Sequence, residues 1–231
     1  MPDDVLDPAA LQAWLDEPHA DIRSMVRDLL DTAEFAPVGR IPKEEHREIV
    51  LGWARRLAEE GGTTLGFPTE YGGGGNVGGS IAAFETMAHG DLSLLVKVGV
   101  QFGLFGGAIL HLGTKPHHDT YLRDLMSLEL PGCFAMTETG HGSDVQRIGT
   151  TATYVPEDDE FEIHTPDDRS RKDYIGNAAA HGRAAAVFAQ LIVDGTNHGV
   201  HCLVVPIRNK KGKVLDGVRI EDCGDKLGLH G

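Results

Sequence analysis

The sequence predicts an α+β protein, with a helical bundle domain at the amino terminus followed by a small β domain of barrel or sandwich type. Three observations predict it. Apolar residues recur at helical spacing through the first half. Near Pro131 the pattern changes to short β-leaning runs separated by turn residues. The order is helices first and strands second, which argues for an α+β arrangement or two domains. The boundary is placed at about residue 131, giving a helical domain over 1–130 and a β domain over 131–231. A chain of 231 residues that is 41% hydrophobic can bury a real core in one large or two modest domains. It shows no internal repeat and no low-complexity tract.

Each element has a local reason. Asp7-Pro8 reads as an N-cap followed by proline at the first helical position, ahead of AALQAWL. In ADIRSMVRDLLDTAEF, Ile22, Val26, Leu29 and Leu30 fall on one helical side. Pro42 opens a third helix with Ile49, Val50, Trp53 and Leu57 on one side, and Gly61-Gly62 ends it. The loop LGFPTEYGGGGNVGG has four consecutive glycines, Gly72 to Gly75, read as a flexible turn rather than a phosphate cradle, because no G-K-[ST] follows. SIAAFETMAHG is a fourth helix. PHHDTYLRDLMSLEL is the last, with Tyr121, Leu122, Leu125 and Leu128 on its apolar side. TTATYV and EFEIHT flank the acidic turn PEDD as a hairpin or neighbouring strands. RAAAVFAQLIV and GVHCLVVPI are further strands joined by the turn-rich DGTNHG, and GVRI is a last strand candidate.

One segment requires a membrane test. LSLLVKVGVQFGLFGGAILHL, Leu92 to Leu112, is mostly apolar and spaces Gly99, Gly103 and Gly107 four residues apart. Lys97 and Gln101 lie near its middle and His111 near its end. A central lysine costs roughly 2.5–3.5 kcal/mol on insertion. The segment is therefore read as a buried bundle helix, with no membrane span, whose glycines admit a neighbouring backbone.

Composition excludes several classes. A net charge of −14 argues against nucleic acid and against an anionic membrane surface. Cys133, Cys202 and Cys223 are odd in number and widely spaced, so they suggest neither a disulfide framework nor a zinc site. The first residues, MPDDVLDPAA, lack the basic region of a secretory leader. His117-His118, His198 with His201, and the acidic turn from Glu157 to Glu160 read as solvated surface, and no metal site is expected.

The most informative stretch is GCFAMTETGHGSDV, Gly132 to Val145. A strand runs into a loop dense in glycine and hydroxyls. Gly140 and Gly142 allow close backbone approach, and Thr137, Thr139 and Ser143 can donate to ring carbonyls or phosphate oxygens. The residues alone leave two readings open: a loop around a flat heterocycle carrying a phosphate, or a plain turn between strands.

This stretch resembles the flavin-binding signature A-M-T-E-x-G-x-G-S-D of the acyl-CoA dehydrogenase and acyl-CoA oxidase family. The resemblance implies FAD as cofactor, with Met136 and Thr137 at the ring and Ser143 near the pyrophosphate. It gives Glu138 no role as catalytic base. RKDYIGNAAAHGRAAAVFAQL resembles the family's K-x-W-I-T-N-G stretch, implying a strand over the flavin with Gly176 at the ring. Tyr174 stands where dehydrogenases have Trp, and it reads equally as a half-buried strand aromatic. Glycine at 176 and the GHGSD loop favour the oxidase branch. GVQFGLFGGAILHLGT, GVHCLVVPIRN and EDCGDKLGLHG extend the match, so that it covers residues 65 to 231.

The resemblance implies oxidation of an acyl-CoA substrate to trans-2-enoyl-CoA in fatty-acid β-oxidation, with oxygen as acceptor. The alternatives are a dehydrogenase using another acceptor and a noncatalytic remnant that binds FAD or acyl-CoA. The family's glutamate base lies in a carboxy-terminal helical domain, expected beyond Gly231, so no catalytic residue is assigned here and the isolated chain is expected to be inactive. A homodimer or larger assembly is expected of the full enzyme, in a bacterial cytoplasm or a peroxisomal matrix.

Overall fold

The computed structural model describes residues 7–229. Most of the acidic amino-terminal stretch, and His230 and Gly231 of the last family-like segment, lie outside the described residues. The chain separates into two compact units, one running to Leu95 with the last residues from Leu227, the other from Val96 to Lys226.

The first unit is helical. The Asp7 side chain accepts hydrogen bonds from the Ala9 and Ala10 amides and starts α1 (Pro8–Asp16), as the Asp-Pro pair predicts. In α2 (Ala20–Leu30) Val26 is buried, and a short 3₁₀ turn, Ala33–Phe35, follows the helix. Trp53 of α3 (Lys43–Glu59) stacks on Phe35 and donates its indole N–H to the Glu34 carbonyl at 2.7 Å. Val50, Trp53 and Leu57 are buried together with His46, Leu51 and Ala54, while Ile49 is only half-buried. In α4 (Val77–Met87), Gly79, Ala82 and Ala83 face inward. A Cβ added at Gly79 would lie 2.6 Å from Ile22 Cδ1, so the close helix approach expected further along occurs here, between α2 and α4.

The tetraglycine segment is a packed knot rather than a flexible turn. Gly73, Gly74 and Gly75 donate to the carbonyls of Pro68, Thr64 and Phe67, and Asn76 donates to Leu65. A side chain at Gly73 would strike the Phe67 backbone. These amides are consumed internally, so the segment offers no anion cradle.

Residues 92–112 are helical throughout, as α5 (Leu92–Val98), a π-helical segment (Gly99–Phe105) and α6 (Gly106–Leu112). This helix is long and apolar enough to cross a membrane by length and composition, yet 61% of its most apolar window is buried within the protein. Gln101 is completely buried and ties the helix to its surroundings: its amide donates to the Leu125 and Leu130 carbonyls, and its Oε1 accepts from the Gly132 amide at 2.7 Å. The glycine expectation needs correction. Added Cβ atoms at Gly103 and Gly107 would meet nothing within 4 Å, so neither admits a neighbouring backbone. α7 (Lys115–Met126) starts at Thr114, whose amide donates to His117 Nδ1. His117 is therefore a capping residue rather than only solvated surface, and His118 Nε2 lies 3.1 Å from the Leu110 carbonyl.

Among the described residues, five strands form the small β domain: β1 (Gly132–Ala135), β2 (Thr151–Val155), β3 (Glu160–His164), β4 (Ala184–Val193) and β5 (Thr196–Pro206). All belong to one mixed sheet. β4 is its spine, parallel to β1 over Ala184–Val187 and to β2 over Gln190–Ile192, and antiparallel to β5. That central place explains six consecutive buried residues, Ala184 to Ala189. β2 and β3 pair as the expected hairpin. The connector DGTNHG is shorter than its composition suggests. Asp194 and Gly195, both at positive φ, make a two-residue turn, and Thr196 onward is already strand. GVRI is not a strand, for it finds no ladder partner; Val218 and Ile220 instead pack on the core around Cys133, Ala185 and Val187.

Candidate functional site

The loop leaving β1 is held by the segment 169–173, which runs beside it. The Thr137 carbonyl accepts from the Asp173 amide at 3.1 Å, Thr139 N donates to Arg171 O at 2.9 Å, and Gly140 N donates to Arg169 O at 2.7 Å. Glu138 and His141 exchange backbone hydrogen bonds and close a tight turn. The Thr139 hydroxyl donates to Asp173 Oδ2 at 3.0 Å, so it is engaged within the protein. Burial pushes the Asp173 carboxyl up, but the bonds from Thr139 and the Tyr174 amide, with further contacts, outweigh it and hold the group below the usual carboxylate range.

Beneath the loop lies a buried ion pair. Lys172 Nζ stands 3.0 Å from Glu138 Oε1, and Glu138 is 2% exposed. The carboxylate also accepts from the Gly149 amide (2.8 Å), the Thr150 amide (3.0 Å) and the Thr150 hydroxyl (2.6 Å). Burial raises the Glu138 pKa, and these donors together lower it further than burial raises it, so the group lies below its ordinary value. Burial lowers the Lys172 pKa against the opposing pull of Glu138. The carboxylate is enclosed by donors and is not arranged to accept a substrate proton.

The four residues proposed for the flavin differ in setting. Met136 and Thr137 follow directly on β1 and are half-buried. The Thr137 hydroxyl makes no hydrogen bond among the described residues. Ser143 lies exposed further round the loop, its hydroxyl likewise without a hydrogen bond among the described residues, and an added Cβ at Gly142 beside it would meet open space. Gly140, by contrast, approaches Arg169. Gly176 lies in a turn, not on a strand, and an added Cβ there would be 2.7 Å from Val100 Cγ2 of the π-helical segment. The expected strand over the ring is absent. Tyr174 and Asn177 take positive φ values of 56° and 65°, which break extended structure, and Tyr174 is 75% exposed rather than half-buried. Besides the hydrogen bonds given above, the segment pairs with the loop in strand fashion at one isolated bridge, Glu138 to Lys172.

The sequence reading missed Lys172, Thr150 and Asp173 as parts of this site. No local signal marked them: Lys172 stands in the polar run DDRSRKD, where a lysine ordinarily reads as solvated, and its partner Glu138 lies 34 residues earlier. Two of the three cysteines are held as thiols: burial pushes Cys133 up to about 12 and Cys202 up to about 11, while Cys223 is exposed. No cluster of three or more metal-ligating side chains exists among the described residues.

Residues 16–129 match the acyl-CoA dehydrogenase N-terminal domain and residues 133–231 match the acyl-CoA dehydrogenase middle domain, and the chain belongs to this family. Within it, the chain is similar to acyl-CoA oxidases. It is 40% identical over 235 residues to peroxisomal acyl-coenzyme A oxidase 2 of Arabidopsis thaliana, covering 96% of this chain and 33% of that relative. Its structure is similar to that of acyl-CoA oxidase 1 from Yarrowia lipolytica, with a TM-score of 0.81 at 27% identity, over 93% of this chain and 31% of the other. The fold is also that of Caenorhabditis elegans acyl-CoA oxidase-2 bound with FAD, ascaroside-CoA and ATP, with a TM-score of 0.73 at 20% identity over 98% of this chain and 36% of the other. The chain thus spans about a third of the length of the relatives it matches.

Proposed function

We propose that this chain supplies the helical domain, residues 1–130, and the flavin-binding β domain, residues 131–231, of an acyl-CoA oxidase. The observation that carries the proposal is the pair of hydroxyls, Thr137 and Ser143, which make no hydrogen bond among the described residues, in a loop whose backbone is held by residues 169–173. Thr137 and Met136 would hold the ring of FAD, and Ser143 would meet its pyrophosphate. When bound, FAD supplies the hydride acceptor for oxidation at the β-carbon of an acyl-CoA thioester, giving trans-2-enoyl-CoA and, after reoxidation by dioxygen, hydrogen peroxide. The chain's own residues do the positioning. Asp173 and Lys172 hold the backbone around Thr137, and the open stretch at Gly142 leaves access to Ser143.

The α-proton must leave to a base, and the Glu138 carboxylate is closed off by its four donors. We place that base in the carboxy-terminal helical domain that the family resemblance implies. The peroxisomal relatives support a peroxisomal matrix setting in a eukaryote, within fatty-acid β-oxidation. Assembly into a homodimer or larger oligomer belongs to the full-length enzyme.

Peroxide production and dye reduction, with added FAD and a range of acyl-CoAs, test the division of labour. The chain alone is expected to show no turnover, since loss of the base alone removes roughly 10²–10⁴-fold in rate. Adding a carboxy-terminal helical domain from a relative is expected to restore it. Full turnover by the chain alone contradicts the proposal.

A further inference from the structure

We infer that the buried Glu138–Lys172 pair is a positioning device for Thr137, fixing the backbone on both sides of it and so the direction in which its hydroxyl is presented. The inference rests on the reading of Thr137 as a flavin contact and adds residues to that site. Lys172 spends its three N–H donors on Met136 O at 3.1 Å, Glu138 Oε1 at 3.0 Å and Phe188 O at 2.7 Å. Met136 and Glu138 are the chain neighbours of Thr137. The next residue, Asp173, donates its amide to the Thr137 carbonyl itself. Two consecutive residues therefore grip three consecutive residues of the loop.

The other end of the device is anchored in the sheet. Phe188 lies in the middle of β4, and Glu138 is held by Gly149 and Thr150 at the entry to β2. The Thr150 hydroxyl oxygen also lies 3.0 Å from Ser170 O, beside the segment that carries Lys172, and its single proton is directed to Glu138, the nearer acceptor. A buried ion pair is a weak device for stability alone, because desolvation offsets much of its attraction. Its distinguishing property is geometric. A saturated network of charged and backbone groups tolerates one arrangement, since any shift leaves a buried group without a partner.

A purely structural pair and a positioning pair make different predictions. Lys172→Met keeps an unbranched side chain, one heavy atom shorter, and removes all three donors. In the chain without FAD, hydrogen exchange at residues 136–141 and at Asp173 should rise, while amides of the β4–β5 ladder keep their protection. With FAD, affinity should fall about tenfold, the order of one well-placed hydrogen bond. The visible absorption band of the flavin that remains bound should shift as it does in Thr137→Val, and Lys172→Met added to Thr137→Val should shift it no further. Thr150→Val, which preserves shape and removes one Glu138 donor, should move each readout less and in the same direction; it carries the test if Lys172→Met does not fold. Unchanged exchange in the loop, or a lowered melting temperature with a wild-type flavin band, overturns the inference. Thr137→Val that alters neither affinity nor band, or a wild-type chain that takes up no FAD, overturns the flavin reading itself, and is read from those two proteins alone.

Discussion

The Glu138 carboxylate favours the fold in its ionised form. Its pKa in the folded chain lies below its ordinary value, because four hydrogen bonds outweigh burial. The unfolded carboxyl, near about 4.3, then binds the proton first as pH falls. The stabilisation is complete above that value and is lost as pH drops through the lower folded pKa. Asp173, Asp167 and Asp16 are lowered in the same direction. The melting temperature is expected to change little between about pH 7 and pH 5 and to fall below about pH 4. Glu138→Gln should make that acid limb shallower; an equally steep limb would show that the group does not titrate as described. Gly176 presents a different residue-scale test. Gly176→Val should destabilise by about 1–3 kcal/mol through overpacking on Val100, and Val100→Ala should recover part of the loss in urea denaturation. No recovery would place the cause elsewhere.

At the scale of elements, capping and alternation were legible and partner-dependent features were not. The Asp7 cap, the α3 apolar side and the β2–β3 hairpin each follow from signals within a few residues. GVRI has strand-like composition, and the resemblance implied a strand near 171–177, but neither finds a ladder partner, and a strand exists only by pairing. The glycines of the long helix show the same limit. Spacing marks residues able to admit a neighbour, but Gly79 on α4 does so and Gly103 and Gly107 do not. Gln101 was read only as a polar residue unsuited to lipid, whereas it joins the π-helical segment, the end of α7 and the start of β1. Gln101→Leu leaves the Leu125 and Leu130 carbonyls and the Gly132 amide without that partner. It should cost about 2–4 kcal/mol by denaturation, and a loss under about 0.5 kcal/mol, the range of an ordinary surface change, would contradict the linking role.

At the scale of the molecule, apolar side chains stand exposed in rows. On α4, Val77, Ile81 and Phe84 fall on one side with exposures of 63%, 64% and 41%, and on α1 Trp14 is 73% exposed. Such surface marks interfaces in longer proteins. The chain should bind a hydrophobic dye and self-associate in sedimentation despite its charge of −14; a dye-silent monomer would contradict this. The family was legible because Met136, Thr137 and Ser143 lie in one contiguous signature. The support beneath them was hidden because Glu138, Thr150 and Lys172 are brought together only by the sheet. The loop from Met136 to Ser143 is proposed to hold FAD. Titration of FAD into the chain, followed by fluorescence quenching, tests it most directly. The account predicts saturable binding that Thr137→Val weakens about two- to tenfold, the equivalent of about 0.5–1.5 kcal/mol for one hydrogen bond. Absence of saturable binding by the folded wild-type chain, or identical affinity in the folded Thr137→Val protein, would contradict it.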